Sequence, residues 1–127
     1  MLRLLGLWLP VAAWMAMIFG VSSLQMPPGI GFVPDWMSHG GVYCALAALT
    51  SRALAGGVRA APLRVALMSA ALGSLYGVTD EWHQSFVPGR HAEARDVRND
   101  ALGATAGALA YAGVLATRRR RAASEAS

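Results

Sequence analysis

The run LLGLWLPVAAWMAMIFGVSSL, from Leu4 to Leu24, carries no charged residue. A helix needs roughly 20 apolar residues to cross a hydrocarbon core of about 30 Å, and in lipid only a helix or a closed barrel satisfies its own backbone polar groups. The run therefore predicts a membrane-crossing first helix. Pro10 lies within it and is tolerated there better than in a soluble helix, because neighbouring groups can satisfy the freed carbonyl. With 55% hydrophobic and 14% charged residues in 127, the chain is too apolar for an ordinary soluble domain of this size. A cleaved signal peptide is the competing reading, since Arg3 precedes the run and Val21 and Ser23 are small enough to precede a cleavage site. The length of the run, and the Pro-rich LQMPPGIGFVPD that follows it, favour a retained helix and a short extracytoplasmic loop.

Three less apolar segments follow, Trp36 to Leu54, Leu63 to Thr79 and Ala101 to Thr117, all rich in Ala, Gly and Ser. Small residues let membrane helices approach closely, and Gly73/Gly77 and Gly103/Gly107 each form a Gly-x-x-x-Gly pair. The expected fold is all-α: a polytopic membrane protein with four transmembrane helices spanning residues 1–117, followed by a basic, disordered cytoplasmic tail from 118 to 127. Cys44, the single cysteine, rules out an internal disulfide and any Cys-rich metal pattern.

Every basic residue other than histidine is Arg, and the net charge is +4. The arginines flank apolar segments instead of forming one basic face, so no nucleic-acid partner is expected; they serve as topology signals. With four crossings, Arg3, Arg52, Arg59, Arg64 and Arg118 to Arg121 fall on one side, and Arg90, Arg95 and Arg98 on the other. The excess places both termini in the cytoplasm.

The opposite, outward side then receives DEWHQSFVPGRHAEARD, from Asp80 to Asp96. At about 100° per residue, Gly73, Gly77, Asp80 and Gln84 share an arc of roughly 60°, with Glu81 beside it. Asp35, His39 and Tyr43 share a face of the second helix, and Asp96, Asn99, Gly103 and Gly107 share one on the fourth. Three helices thus aim Asp35, His39, Tyr43, Asp80, Glu81, Gln84, Asp96 and Asn99 at one outward cleft. Uncompensated charge at membrane depth is costly, so these groups must pair with each other, with Arg90 or with a polar ligand. An internal pair of Arg90 with Asp80 or Glu81 is expected. Trp36 and Trp82 suit interfacial anchoring, and His83 and His91 are expected to be exposed. No metal-ligand motif of close spacing is present, and neither metal nor other cofactor is expected.

The run YGVTDEWHQSFVPGRHAEARDVRNDALGATAG, from Tyr76 to Gly107, closely resembles the signature of the VanZ-like membrane proteins. The matching positions are Asp80, Glu81, Gln84, Phe86, Pro88, Gly89, Arg90, Asp96, Asn99, Gly103 and Gly107, with Asp35, His39 and Tyr43 forming a weaker upstream element. Trp36 stands where the family usually has Lys, which removes a cation from that position. The resemblance implies a small polytopic protein of the bacterial cytoplasmic membrane. The family takes its name from a member associated with resistance to the glycopeptide teicoplanin.

Two functional classes are compatible with this pattern. In the first, the cleft of a membrane-embedded accessory protein binds a membrane lipid, a lipid-linked envelope intermediate or a glycopeptide. In the second, an enzyme acts on a lipid-anchored substrate at the outer leaflet, with Asp80 or Glu81 as acid or base, His39 as proton shuttle and Arg90 as anion clamp. Four short helices leave little room for alternating access in a single copy, so transport would require a homo-oligomer.

Overall fold

The computed structural model describes residues 1–25 and 34–126, and the chain folds there as four helices: α1 Leu2–Ser22, α2 Asp35–Leu54, α3 Leu63–Gln84 and α4 Ala94–Glu125. The loop expected between the first two helices lies, for residues 26–33, outside the described residues. Pro34 and Pro62 immediately precede α2 and α3, where proline's fixed φ suits entry into a helix and no intrahelical donor is lost. Pro10 stays inside α1 without ending it. Between α3 and α4 the chain turns through Pro88 and Gly89; Gly89 has φ of 81°, a left-handed conformation that glycine adopts without a Cβ clash.

Of the described helices, α1 alone is long and apolar enough to pass as a membrane span by composition. The four crossings expected from the sequence are thus matched by composition at one helix, because small and polar residues dilute α2, α3 and α4. The disordered tail expected from residue 118 is instead helical, with α4 running on through Arg118 to Arg121 as far as Glu125. Ala and Arg are strong helix formers, so the basic run has no reason to stop the helix.

The core is thin and built on small residues: Ala47, Ala104 and Ala108 are completely or almost completely buried beside Tyr43 and Leu46. Contact is most extensive between α2 and α4, and next between α3 and α4. A Cβ on Gly103 would overlap the Gly40 backbone, and one on Gly107 the Cys44 backbone. The pair on α3 faces α4 as well, with Cβ atoms at Gly73 and Gly77 falling 2.8 Å from Ala104 Cβ and 2.9 Å from Asp100 Cβ. Backbone meets backbone because nothing larger intervenes.

Helix α1 docks on this trio through Leu7, Val11 and Ile18, and two side chains fix its height. Trp14 Nε1 donates to the Val42 carbonyl at 3.0 Å, and Tyr76 Oη donates to that of Met15 at 2.7 Å. Its other faces leave Leu4, Leu5, Leu9 and Phe19 exposed. At the basic end of the bundle Arg3 donates to the Gly56 carbonyl at 2.9 Å, and Tyr111 to that of Gly57 at 2.7 Å. The opposite end gathers the C-termini of α1 and α3 and the N-termini of α2 and α4.

Candidate functional site

This second end holds the polar groups. The last turn of α3 buries Asp80, Glu81 and Gln84, and the first turns of α4 bury Asn99 and Asp100. A helix C-terminus carries partial negative charge, so carboxylates at Asp80 and Glu81 are disfavoured by their own helix. Other groups must hold them.

Two networks do so. In the first, Ser22 Oγ on α1 donates to Asp80 Oδ1 at 2.5 Å, and Gln84 Nε2 donates to Asp80 Oδ2 at 3.1 Å. Arg90 donates to Gln84 Oε1 and, at 3.5 Å, to the Leu24 carbonyl. In the second, His39 Nδ1 lies 3.0 Å from Asp100 Oδ1, and its Nε2 lies 3.7 Å from Asp96 Oδ2. Asp100 is 1% exposed, whereas the side chains of His39 and Asp96 are 18% and 16% exposed, so this network has a floor and a mouth. Glu81 borders it from α3, and its Oε1 accepts the Glu93 N–H at 2.7 Å, fastening the start of α4 to the end of α3.

Several buried atoms in these networks have no partner among the described residues: Glu81 Oε2, Asp96 Oδ1 and the Tyr43 hydroxyl. A buried polar atom left unpaired costs on the order of 1–3 kcal/mol. One ligand atom each from His39, Glu81 and Asp96 lies within 4.8 Å of the others. No short-spacing motif could have announced this trio, because its members come from three helices.

Most of the residues aimed at the cleft converge. His39, Glu81 and Asp96 surround one space; Tyr43 is buried one turn along α2 against Tyr76; Asp80 and Gln84 lie in the neighbouring chain of bonds to Arg90; Asn99 is buried with its backbone carbonyl against Gly40. Asp35 opens α2, and its side chain lies outside the described residues. The expected ion pair of Arg90 with Asp80 or Glu81 is not formed: among the described residues Arg90 reaches Gln84 and a carbonyl, and Gln84 relays it to Asp80. The reason is reach, since Gln84 lies one turn beyond Asp80 and fills the gap. His83, expected to be exposed, is half-buried, stacked on Phe19 with ring centroids 4.3 Å apart and with Nε2 3.0 Å from Ser23 Oγ.

Asp100 and Ser22 are the site residues that the sequence reading passed over. Asp100 follows Asp96 by four residues and so shares its helix face, a signal that was available. Ser22 had none, because only the docking of α1 places it beside Asp80.

The polar end so assembled is built largely from the residues of the 76–107 signature. A family model described as VanZ/LLP1 matches residues 5–116. The chain belongs to the VanZ/LLP1 family. Members of this family are membrane proteins, in keeping with the apolar α1. Neither the curated proteins nor the solved structures contain a match to the chain.

Proposed function

We propose that this VanZ/LLP1 protein spans the bacterial cytoplasmic membrane four times, with both termini in the cytoplasm, and uses its polar end to bind the head group of a lipid-linked envelope intermediate. The observation that carries this reading is the state of Arg90. Among the described residues its guanidinium rests on the neutral amide of Gln84 and a backbone carbonyl, and no carboxylate there pairs with its positive charge. A partly exposed guanidinium at the rim is suited to bidentate binding of a phosphate. The carboxylates beneath it can accept hydrogen bonds from hydroxyl or amide groups of the same head. Exposed Leu67, Leu72, Leu75 and Val78 on α3 and Leu102 and Leu109 on α4 supply apolar surface on which acyl or prenyl chains can lie. Sequestering such a head group would alter glycopeptide (teicoplanin) susceptibility without any chemical step.

The test is mass spectrometry of lipids that co-purify with the full chain in mild detergent. Wild type should carry a phosphate-bearing lipid that Arg90→Ala loses while retaining its thermal stability. An Arg90→Ala protein with the same lipid complement would refute the reading. A second reading, an enzyme at the outer leaflet, draws on the Asp100–His39 contact, since a buried carboxylate that orients an imidazole is a common arrangement in acid–base catalysis. It requires that Asp100→Asn abolish turnover of the bound lipid while leaving the lipid bound.

A further inference from the structure

We infer that His39, Glu81 and Asp96 form a site for a divalent transition-metal ion, with zinc as the best match, and that Asp100 orients the histidine ligand. The inference rests on the head-group reading in one respect only: the ion would give an acidic pocket affinity for an anionic head.

The geometry begins with the imidazole. A histidine that ligates a metal through one nitrogen nearly always donates its other N–H to a carboxylate or carbonyl, which fixes the tautomer and ring orientation. Here Nδ1 is 3.0 Å from the fully buried Asp100 Oδ1. Donation of that proton leaves a lone pair on Nε2, which faces Asp96 Oδ2 across 3.7 Å, too far for a hydrogen bond. Glu81 completes the triangle, the three donor atoms lying within 4.8 Å of one another. Ligand bonds of about 2.0–2.1 Å in a tetrahedron set donor atoms roughly 3.3 Å apart, a modest closure that side-chain rotation provides.

Acidic residues near a histidine are not enough to make a site. The buried orphans supply the second observation. Glu81 is 4% exposed and its Oε2 has no partner among the described residues; Asp96 Oδ1 is likewise buried and unpartnered there. The hydroxyl of Tyr43, one turn from His39 on α2 and 2% exposed, also lacks a partner among the described residues. Buried carboxylate oxygens left without a partner beside an imidazole are what an electron-pair acceptor would satisfy. Imidazole with two carboxylates suits zinc better than magnesium or calcium, which favour oxygen alone. Three protein ligands leave a fourth position open, the pattern of sites that bind or act on a ligand.

The experiment uses the full chain purified in detergent and stripped with a chelator. Zinc chloride is titrated by calorimetry, and cobalt(II) chloride by its visible absorption, which reports tetrahedral coordination. Wild type should take up one zinc per chain. Glu81→Gln and Asp96→Asn, near-isosteric changes, should weaken uptake by at least tenfold, as should His39→Ala. Asp100→Asn should weaken it by about 10–100-fold while leaving a measurable cobalt spectrum, since the direct ligands remain. His91→Ala, which removes an exposed imidazole, should change nothing. Absence of uptake by wild type, or uptake indifferent to Glu81→Gln and Asp96→Asn, would overturn the assignment and leave a protonated imidazole as the partner of Asp96 and Asp100. The two readings fail separately: a wild type that retains its lipid but binds no zinc sinks only the metal site, and one that binds zinc but carries no lipid sinks only the head-group reading.

Discussion

Gly103→Ala is the sharpest test of the packing, because sequence propensity and structure predict opposite signs. In an exposed helix interior, replacing Gly by Ala stabilises by roughly 1 kcal/mol, since alanine loses less backbone entropy. At Gly103 the added methyl would overlap the Gly40 carbonyl of α2. That obstacle is backbone, which cannot rotate aside as a side chain can. Overpacking of a tight core costs about 1–3 kcal/mol, and an immovable neighbour puts this site at the upper end. The net expectation is a loss of about 2 kcal/mol, taking 3 from the clash and returning 1 from propensity. Gly113→Ala on the same helix is the matched control, for a Cβ there meets nothing within 4 Å; it should stabilise by roughly 0.5–1 kcal/mol. Reversible unfolding of purified protein in mixed micelles, followed by far-ultraviolet circular dichroism, gives both values. Gly103→Ala should also weaken zinc uptake, because Gly40 adjoins His39 in the chain. A Gly103→Ala protein as stable as wild type would refute the backbone contact between α2 and α4.

Ser22→Ala removes the donor to Asp80 Oδ1 and should cost about 1–3 kcal/mol by leaving a buried acceptor unpaired; Ser23→Ala, whose hydroxyl is exposed, should cost under about 0.5 kcal/mol, and equal losses in the same unfolding assay would discount the α1–α3 link. Gln84→Ala should abolish the lipid binding ascribed to Arg90 nearly as fully as Arg90→Ala does, since Gln84 holds the guanidinium; co-purifying lipid retained in Gln84→Ala would show that Arg90 needs no such support. In a Cys44-free background, a cysteine placed at Ser85 should react with a membrane-impermeant thiol reagent in intact cells and one placed at Gly57 should not; the reverse pattern would put the polar end in the cytoplasm.

The four helices were legible because each apolar window is bounded by proline, glycine or charge. Pro34 and Pro62 mark two starts to within two residues. The end of α4 was not, since the sequence reading treated Arg118 to Arg121 as a boundary for lipid, whereas the helix answers only to backbone propensity and continues to Glu125. Helical periodicity correctly grouped Gly73, Gly77, Asp80 and Gln84, all of which are buried. Periodicity orders residues around one axis, however, and says nothing about which neighbour each face meets. Hence the contact of Asp100 with His39, the Gln84 relay to Arg90 and the triangle of His39, Glu81 and Asp96, each drawn from two or three elements, emerged only when the axes were placed side by side.

The contact of Ser22 with Asp80 has a consequence for biogenesis. The helix made earlier of the two carries the hydroxyl, and the acceptor is made 58 residues later. Until α3 arrives, the Ser22 hydroxyl has only carbonyls of its own helix to bond; until α1 docks, Asp80, at the negative pole of its own helix, is held among the described residues by Gln84 alone. Docking of α1 on α3 thereby completes the bonding of Asp80, and a chain with α1 misplaced would leave Asp80 Oδ1 without that donor. The docking of α1 and the completion of the Asp80 network are joined through a single hydroxyl.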